Sequence, residues 1–224
     1  MTDKNLTEII AILDRSGSME SLRAETIGGF NNFIDEQKKG DGQCIVTLVQ
    51  FDDQYQIDYD GKDINDVPSL SEDTYVPRGM TALLDAVGKT VVAVGERLAK
   101  LDEDKRPGTV IFLIITDGHE NSSKEYKAGK VKELVKVQTD DYNWTFVFLG
   151  GGDIESQRDQ GMGMGVGAAN AYGYTPDAKG TQLLYSNVSK GVSRRRYAAS
   201  MGRSVCSSES LLSEDEKDQL ITKE

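Results

Sequence analysis

Apolar runs of strand length recur along this chain between longer segments with helical spacing, and that alternation leaves few architectures open. Ile9-Ile-Ala-Ile-Leu13 and Val110-Ile-Phe-Leu-Ile-Ile115 contain no polar residue. A strand built from either has no face to offer water, so both faces must be covered, as in a parallel sheet flanked by helices. Strands are expected over residues 8–13, 44–51, 55–59, 109–115, 144–149 and 170–174. Leu22, Phe30, Phe33 and Ile34 fall on one face of a helix in the first crossover, and Leu83, Leu84, Val87, Val91, Val94 and Leu98 mark a second, longer one. Val131, Leu134 and Val135 indicate a third, and residues 181–197 read as a closing helix. Phe51 and Tyr55 flank the polar link Asp52-Asp53-Gln54, which makes a hairpin of the second and third strands. The expected fold is α/β: a doubly wound, mainly parallel six-stranded sheet with one antiparallel edge strand and helices on both faces.

The sharpest chemical feature, Asp14-Arg15-Ser16-Gly17-Ser18-Met19, directly follows the first buried strand. Open α/β sheets place their ligands at the carboxyl ends of strands. Asp117, in Ile115-Thr116-Asp117-Gly118, stands in the same relation to the strand over 109–115. If those strands are neighbours, two carboxylates converge from backbones about 4.8 Å apart and repel unless a cation sits between them. Ser16, Ser18 and Thr81, the last in Gly79-Met80-Thr81-Ala82, add hydroxyl oxygens from loops at the same end. An all-oxygen set without cysteine selects Mg²⁺ or Mn²⁺, with Ca²⁺ less suited, over zinc or copper. Ser18 and Thr81 also precede helical patterns, so capping is a second duty open to both.

At these residues the chain resembles a von Willebrand factor A domain carrying the metal-ion-dependent adhesion site. Asp14, Ser16 and Ser18 match its Asp-x-Ser-x-Ser element, Thr81 its threonine, and Asp117 its second aspartate, over a resemblance that spans residues 6–200. Asp-Gly-His-Glu-Asn at 117–121 looks most like the stand-alone domains of bacteria and their viruses. The resemblance implies a Rossmann-like sheet and an ion bound directly by the two serines, by the threonine in the ligand-competent state, and by the aspartates often through water. It also implies a protein partner whose Asp or Glu carboxylate completes the coordination.

Other features receive plainer readings. Arg15 and Met19 are expected to face a partner, and His119, Glu120 and Asn121 to be partly exposed loop residues at the metal rim. Arg194-Arg195-Arg196 reads as a solvated face or a partner to nearby acids. The run Gly161-Met-Gly-Met-Gly-Val-Gly167 precedes a strand where a dinucleotide fingerprint should follow one, so it reads as a loop or helix end. Asp58-Tyr-Asp60-Gly61-Lys-Asp63 fails as a calcium loop, because its glycine comes too early and Ser69 stands where the bidentate Glu belongs.

With 26 Lys+Arg against 37 Asp+Glu the net charge is -11, which argues against nucleic acid or anionic membrane as a partner. No apolar run approaches the roughly 20 residues of a membrane span, and Met1-Thr-Asp-Lys-Asn5 lacks the apolar stretch of a signal peptide, so a cytoplasmic location is expected. Cys44 and Cys206 read as free thiols. The 224 residues divide into a domain over 1–202 and an acidic, flexible tail over 203–224, in which Ser213 and Glu216 match a capping box. An acid there, such as Glu214 or Asp215, reaching the site of another copy is a conceivable route to self-association. Asp14 is poorly placed as a phosphoaspartyl nucleophile, since that pattern asks for an Asp at position 16, and no Walker loop or HExxH helix occurs. The expectation is a binding module with no catalytic residues. The alternatives are a Mg²⁺-dependent phosphoester hydrolase and an assembly subunit with a purely structural ion.

Overall fold

A computed structural model of the chain describes residues 1–203 and 205–221. Its elements are β1 (Asp3–Asp14), α1 (Arg23–Lys38), β2 (Gln43–Phe51), β3 (Tyr55–Asp63), α2 (Leu83–Ala99), β4 (Pro107–Thr116), α3 (Ala128–Tyr142), β5 (Thr145–Gly151), α4 (Ile154–Gly163), β6 (Ala171–Tyr174), α5 (Ala178–Ser200) and α6 (Glu214–Leu220). One sheet runs β3-β2-β1-β4-β5-β6, parallel except for the β2–β3 pair. This is the doubly wound order with an antiparallel edge, and Phe51 pairs with Tyr55 across the expected hairpin.

The fully apolar runs occupy the two central strands, in register from Thr7↔Thr109 to Leu13↔Ile115. Because side chains alternate across a strand, Ile9, Ala11, Leu13, Ile111, Leu113 and Ile115 face one layer, where Phe30 and Phe33 of α1 and Leu184, Val188 and Val192 of α5 cover them. Ile10, Ile12, Phe112 and Ile114 face the other, under Leu83, Val87, Val91 and Val94 of α2 and Val131 and Val135 of α3. Helix α4 has no counterpart in the sequence reading, because Ile154–Gly163 is polar and ends in glycines that disguise its period. The glycine-rich run closes this helix: a side chain at Gly161 would strike the Phe148 ring on β5, and Gly165 adopts φ +93.

The tail expectation is overturned over the described residues 205–221. Leu211, Leu212 and Leu220 join the core layer of α1 and α5. Asn170 Nδ2 donates to the carbonyls of Ser207 and Glu209, and its Oδ1 accepts from Leu211 N. The Ser213–Glu216 capping box forms, and Arg194 grips Glu216 with two bonds of 2.7 and 2.6 Å that hold its carboxyl down to about 2. Arg195 and Arg196 are buried, donating to the carbonyls of Cys206, Glu209, Gln37 and Asp41, so only Arg194 of the triplet answers a nearby acid. Dense charge at 213–218 hides this docking in the sequence, because the three leucines that carry it are spread over ten positions. The remainder of the proposed tail, 204 and 222–224, lies outside the described residues.

Cys44 is buried and Cys206 exposed, both free. Among the described residues no helix is long and apolar enough to cross a membrane. A chain cut after residue 202 loses three buried leucines, each worth roughly 1.5–3 kcal/mol. The thermal midpoint is therefore expected to fall by roughly 10–35 °C; an unchanged midpoint in differential scanning calorimetry would show that the segment contributes nothing.

Candidate metal centre

The chain leaves β1 toward β2 on one side and leaves β4 toward β5 on the other, so their following loops diverge and a cleft opens at the carboxyl ends. Asp14 closes β1 and Asp117 follows β4, on adjacent strands as the sequence reading required. Asp14 is fully buried. Its Oδ2 accepts from Thr116 Oγ1 at 2.5 Å and its Oδ1 from Ser16 N at 2.6 Å, while Tyr75 OH donates to its carbonyl at 2.6 Å. Burial pushes the Asp14 carboxyl up to about 6, against the lowering bonds from Thr116 and Ser16 and with the help of the Asp117 charge. Asp117 is likewise raised by burial, opposed by the Ser18 hydroxyl that donates to its Oδ1 at 2.5 Å.

The hydroxyls gather around these acids. Ser16 Oγ and Ser18 Oγ are 3.2 Å apart. A methyl placed on Gly118 would stand 3.3 Å from Thr81 Oγ1 and 3.6 Å from Ser18 Oγ, so the threonine and the serine approach the same α-carbon. All five residues picked from the sequence therefore converge. The capping duty is not taken up: the 3-10 turn Gly17–Leu22 and α2 both start without a side-chain cap, so Ser18 and Thr81 keep their hydroxyls for the cleft.

Among the described residues no three His, Cys, Asp or Glu side chains cluster, and the oxygens gathered at this cleft belong to two carboxylates and three hydroxyls. Neither carboxylate forms an ion pair with a basic side chain there; their partners are hydroxyls and a backbone N–H. Two acids held together without a counter-charge, in an oxygen-only shell, fit a small hard cation.

Several residues that build this cleft escaped the sequence reading. Asp52, with no exposed side-chain surface, follows β2 as Asp117 follows β4, a signal that was available. Its Oδ2 meets Arg15 Nε at 3.2 Å and Arg78 Nε at 2.8 Å. Arg15 also donates to Gln56 at 2.8 Å. Arg15 and Met19 are thus interior residues, correcting the expectation that they face a partner: Arg15 pairs with buried Asp52, and Met19 enters the core. Backbone bonds Arg78 N to Arg15 O, Gly17 N to Gly79 O and Ala82 N to Asp52 O join the three loops. His119 is exposed at the rim, 3.5 Å from Ser156 Oγ. Glu120 does more than line the loop, since its carboxylate accepts from Leu84 N at the start of α2 and from Ser122 N and Ser123 N. Asn121 bonds Thr81 through main chain and side chain.

No protein-family profile and no curated protein sequence matches the chain. Solved structures do. The pilus adhesin SpaC from Lactobacillus rhamnosus GG superposes with a TM-score of 0.62 at 13% identity, covering 84% of this chain and 30% of the adhesin. Proximal thread matrix protein 1 from the mussel byssus gives 0.57 at 16% identity over 85% of this chain and 47% of its own. The same mussel protein with a zinc-occupied MIDAS motif gives 0.55 at 17% identity, covering 84% and 46%. The fold is that of a von Willebrand factor A domain. At these identities the likeness is one of fold, and the chain spans less than half the length of the proteins it matches. Within this A-domain fold the Asp52 brace carries a buried charge balance. Asp52→Ala leaves the Arg15 guanidinium buried and unpaired, and chemical denaturation is expected to show a loss of about 3–5 kcal/mol. Arg78→Ala, whose side chain is half exposed, should cost far less; equal losses would contradict the assignment.

Proposed function

We propose that the domain is a metal-dependent protein-binding module. The observation that carries this reading is the pairing of Asp14 and Asp117, unneutralised by any basic side chain among the described residues, beside the hydroxyls of Ser16, Ser18 and Thr81. Ser16, Ser18 and Thr81 would hold Mg²⁺ or Mn²⁺, with Asp14 and Asp117 supplying the balancing charge. When bound, such an ion supplies a positive centre that an Asp or Glu carboxylate of a partner can complete. Thr116 and Ser16 N fix the Asp14 carboxylate, and Ser18 fixes that of Asp117, so the donors are oriented by bonds already made in the fold. The fold neighbours support the coarse reading: one is named a pilus adhesin, and another carries zinc in a MIDAS motif. With a net charge of -11, approach favours a partner whose acid is set in neutral or basic surface.

Titration calorimetry with Mg²⁺ and Mn²⁺ tests the proposal. One ion per chain is expected, with a thermal midpoint that rises with occupancy, and Asp14→Asn and Asp117→Asn should abolish binding while preserving the circular dichroism spectrum. Absence of binding at millimolar metal would refute the reading, and turnover of a phosphoester by the loaded protein would move it to the hydrolase alternative.

A further inference from the structure

Thr81 is the donor least able to place itself. It lies near the end of the segment between β3 and α2, in which only the 3-10 turn Ile64–Asp66 is regular, so no helix or strand sets its backbone. Its two backbone polar groups go to a single residue: Thr81 N donates to Asn121 Oδ1 at 2.9 Å, and Asn121 N donates to Thr81 O at 3.0 Å. These bonds tie down the peptide planes on either side of the Thr81 α-carbon. With both planes held, φ and ψ are held, and so is the direction of the Cα–Cβ bond, which leaves the hydroxyl only the few staggered positions of χ1. Asparagine suits the task because it offers a side-chain acceptor beside its own backbone donor.

We infer that Asn121 is the positioning residue for the Thr81 hydroxyl, holding it against the Asp117 loop through two bonds to the Thr81 main chain. The inference rests on the reading of Thr81 as a metal donor. Asn121 is exposed and belongs to no helix or strand, so its side chain adds no core packing, and Thr81 N is the bond its amide makes among the described residues. It stands four positions beyond Asp117 on the same loop, so one loop carries both an acid of the site and the clamp on its threonine. Thr81 Oγ1 in turn lies over Gly118 of that loop.

The probe is Mn²⁺, with affinity from titration and bound waters counted by ¹⁷O-water spectroscopy. Asn121→Ala is expected to bind Mn²⁺ about tenfold more weakly, at the lower end of the usual effect for residues behind metal donors. It should also show one additional water, matching Thr81→Ala. Asn121→Asp keeps the acceptor and should retain the wild-type water count. Amide exchange in the metal-free protein gives an independent readout: Thr81 N–H should be protected in the wild type and in Asn121→Asp, and fast in Asn121→Ala. Wild-type affinity, water count and exchange in Asn121→Ala would overturn the inference while leaving the metal site standing. A wild type that binds no Mn²⁺, or a Thr81→Ala variant indistinguishable from it, would overturn the reading of Thr81 as a donor and the inference with it.

Discussion

The parallel pairing of β1 with β4 sets both the core and the cleft of this fold. Both strands are apolar on both faces, so neither can stand at an edge, and burying them requires helices on each side. Their adjacency in the middle of the sheet is also what sends the chain in opposite directions beyond Asp14 and beyond Asp117. Core packing and site geometry are therefore one decision. The register that buries Leu13 beside Ile115 also brings a fully buried carboxylate close to a second acid, and a one-residue slip would turn the Asp14 side chain to the other face of the sheet.

A site assembled from loops needs something to hold the loops, and here polar side chains do that work. Asp52 binds two arginines from different loops, Tyr75 reaches the carbonyl of Asp14, and Glu120 is anchored to the first turn of α2. These are buried or half-buried groups tied to their neighbours by ion pairs and hydrogen bonds within the protein, so the cleft residues are held in place by the fold itself. The arrangement accounts for the position of Arg15, which lies between two site residues in sequence yet belongs to the bracing.

Much of this was legible in the sequence. The hairpin and the two-sided burial of the central strands followed from uniformly apolar runs and from the short Asp52-Asp53-Gln54 link, whereas the adjacency of β1 and β4 entered only as a condition. Asp14, Ser16, Ser18 and Asp117 were picked out by their places just beyond strands, and Thr81 by its place on the loop that opens α2. What stayed hidden had local reasons. Helix α4 has too few apolar residues to show a period. The segment beyond residue 202 docks through a few separated leucines and through Arg194 with Glu216, pairings that a charge count reads as solvation. Arg15, Asp52, Tyr75 and Asn121 act through long-range polar contacts, which no periodicity reports.

If the Asp14–Asp117 cleft is shaped for a hard divalent cation, anomalous diffraction from crystals grown with Mn²⁺ should show a single strong peak at coordinating distance from Ser16 Oγ and Ser18 Oγ, flanked by the Asp14 and Asp117 carboxylates. A clean map at that position, or a peak held by acids elsewhere on the chain, would contradict it.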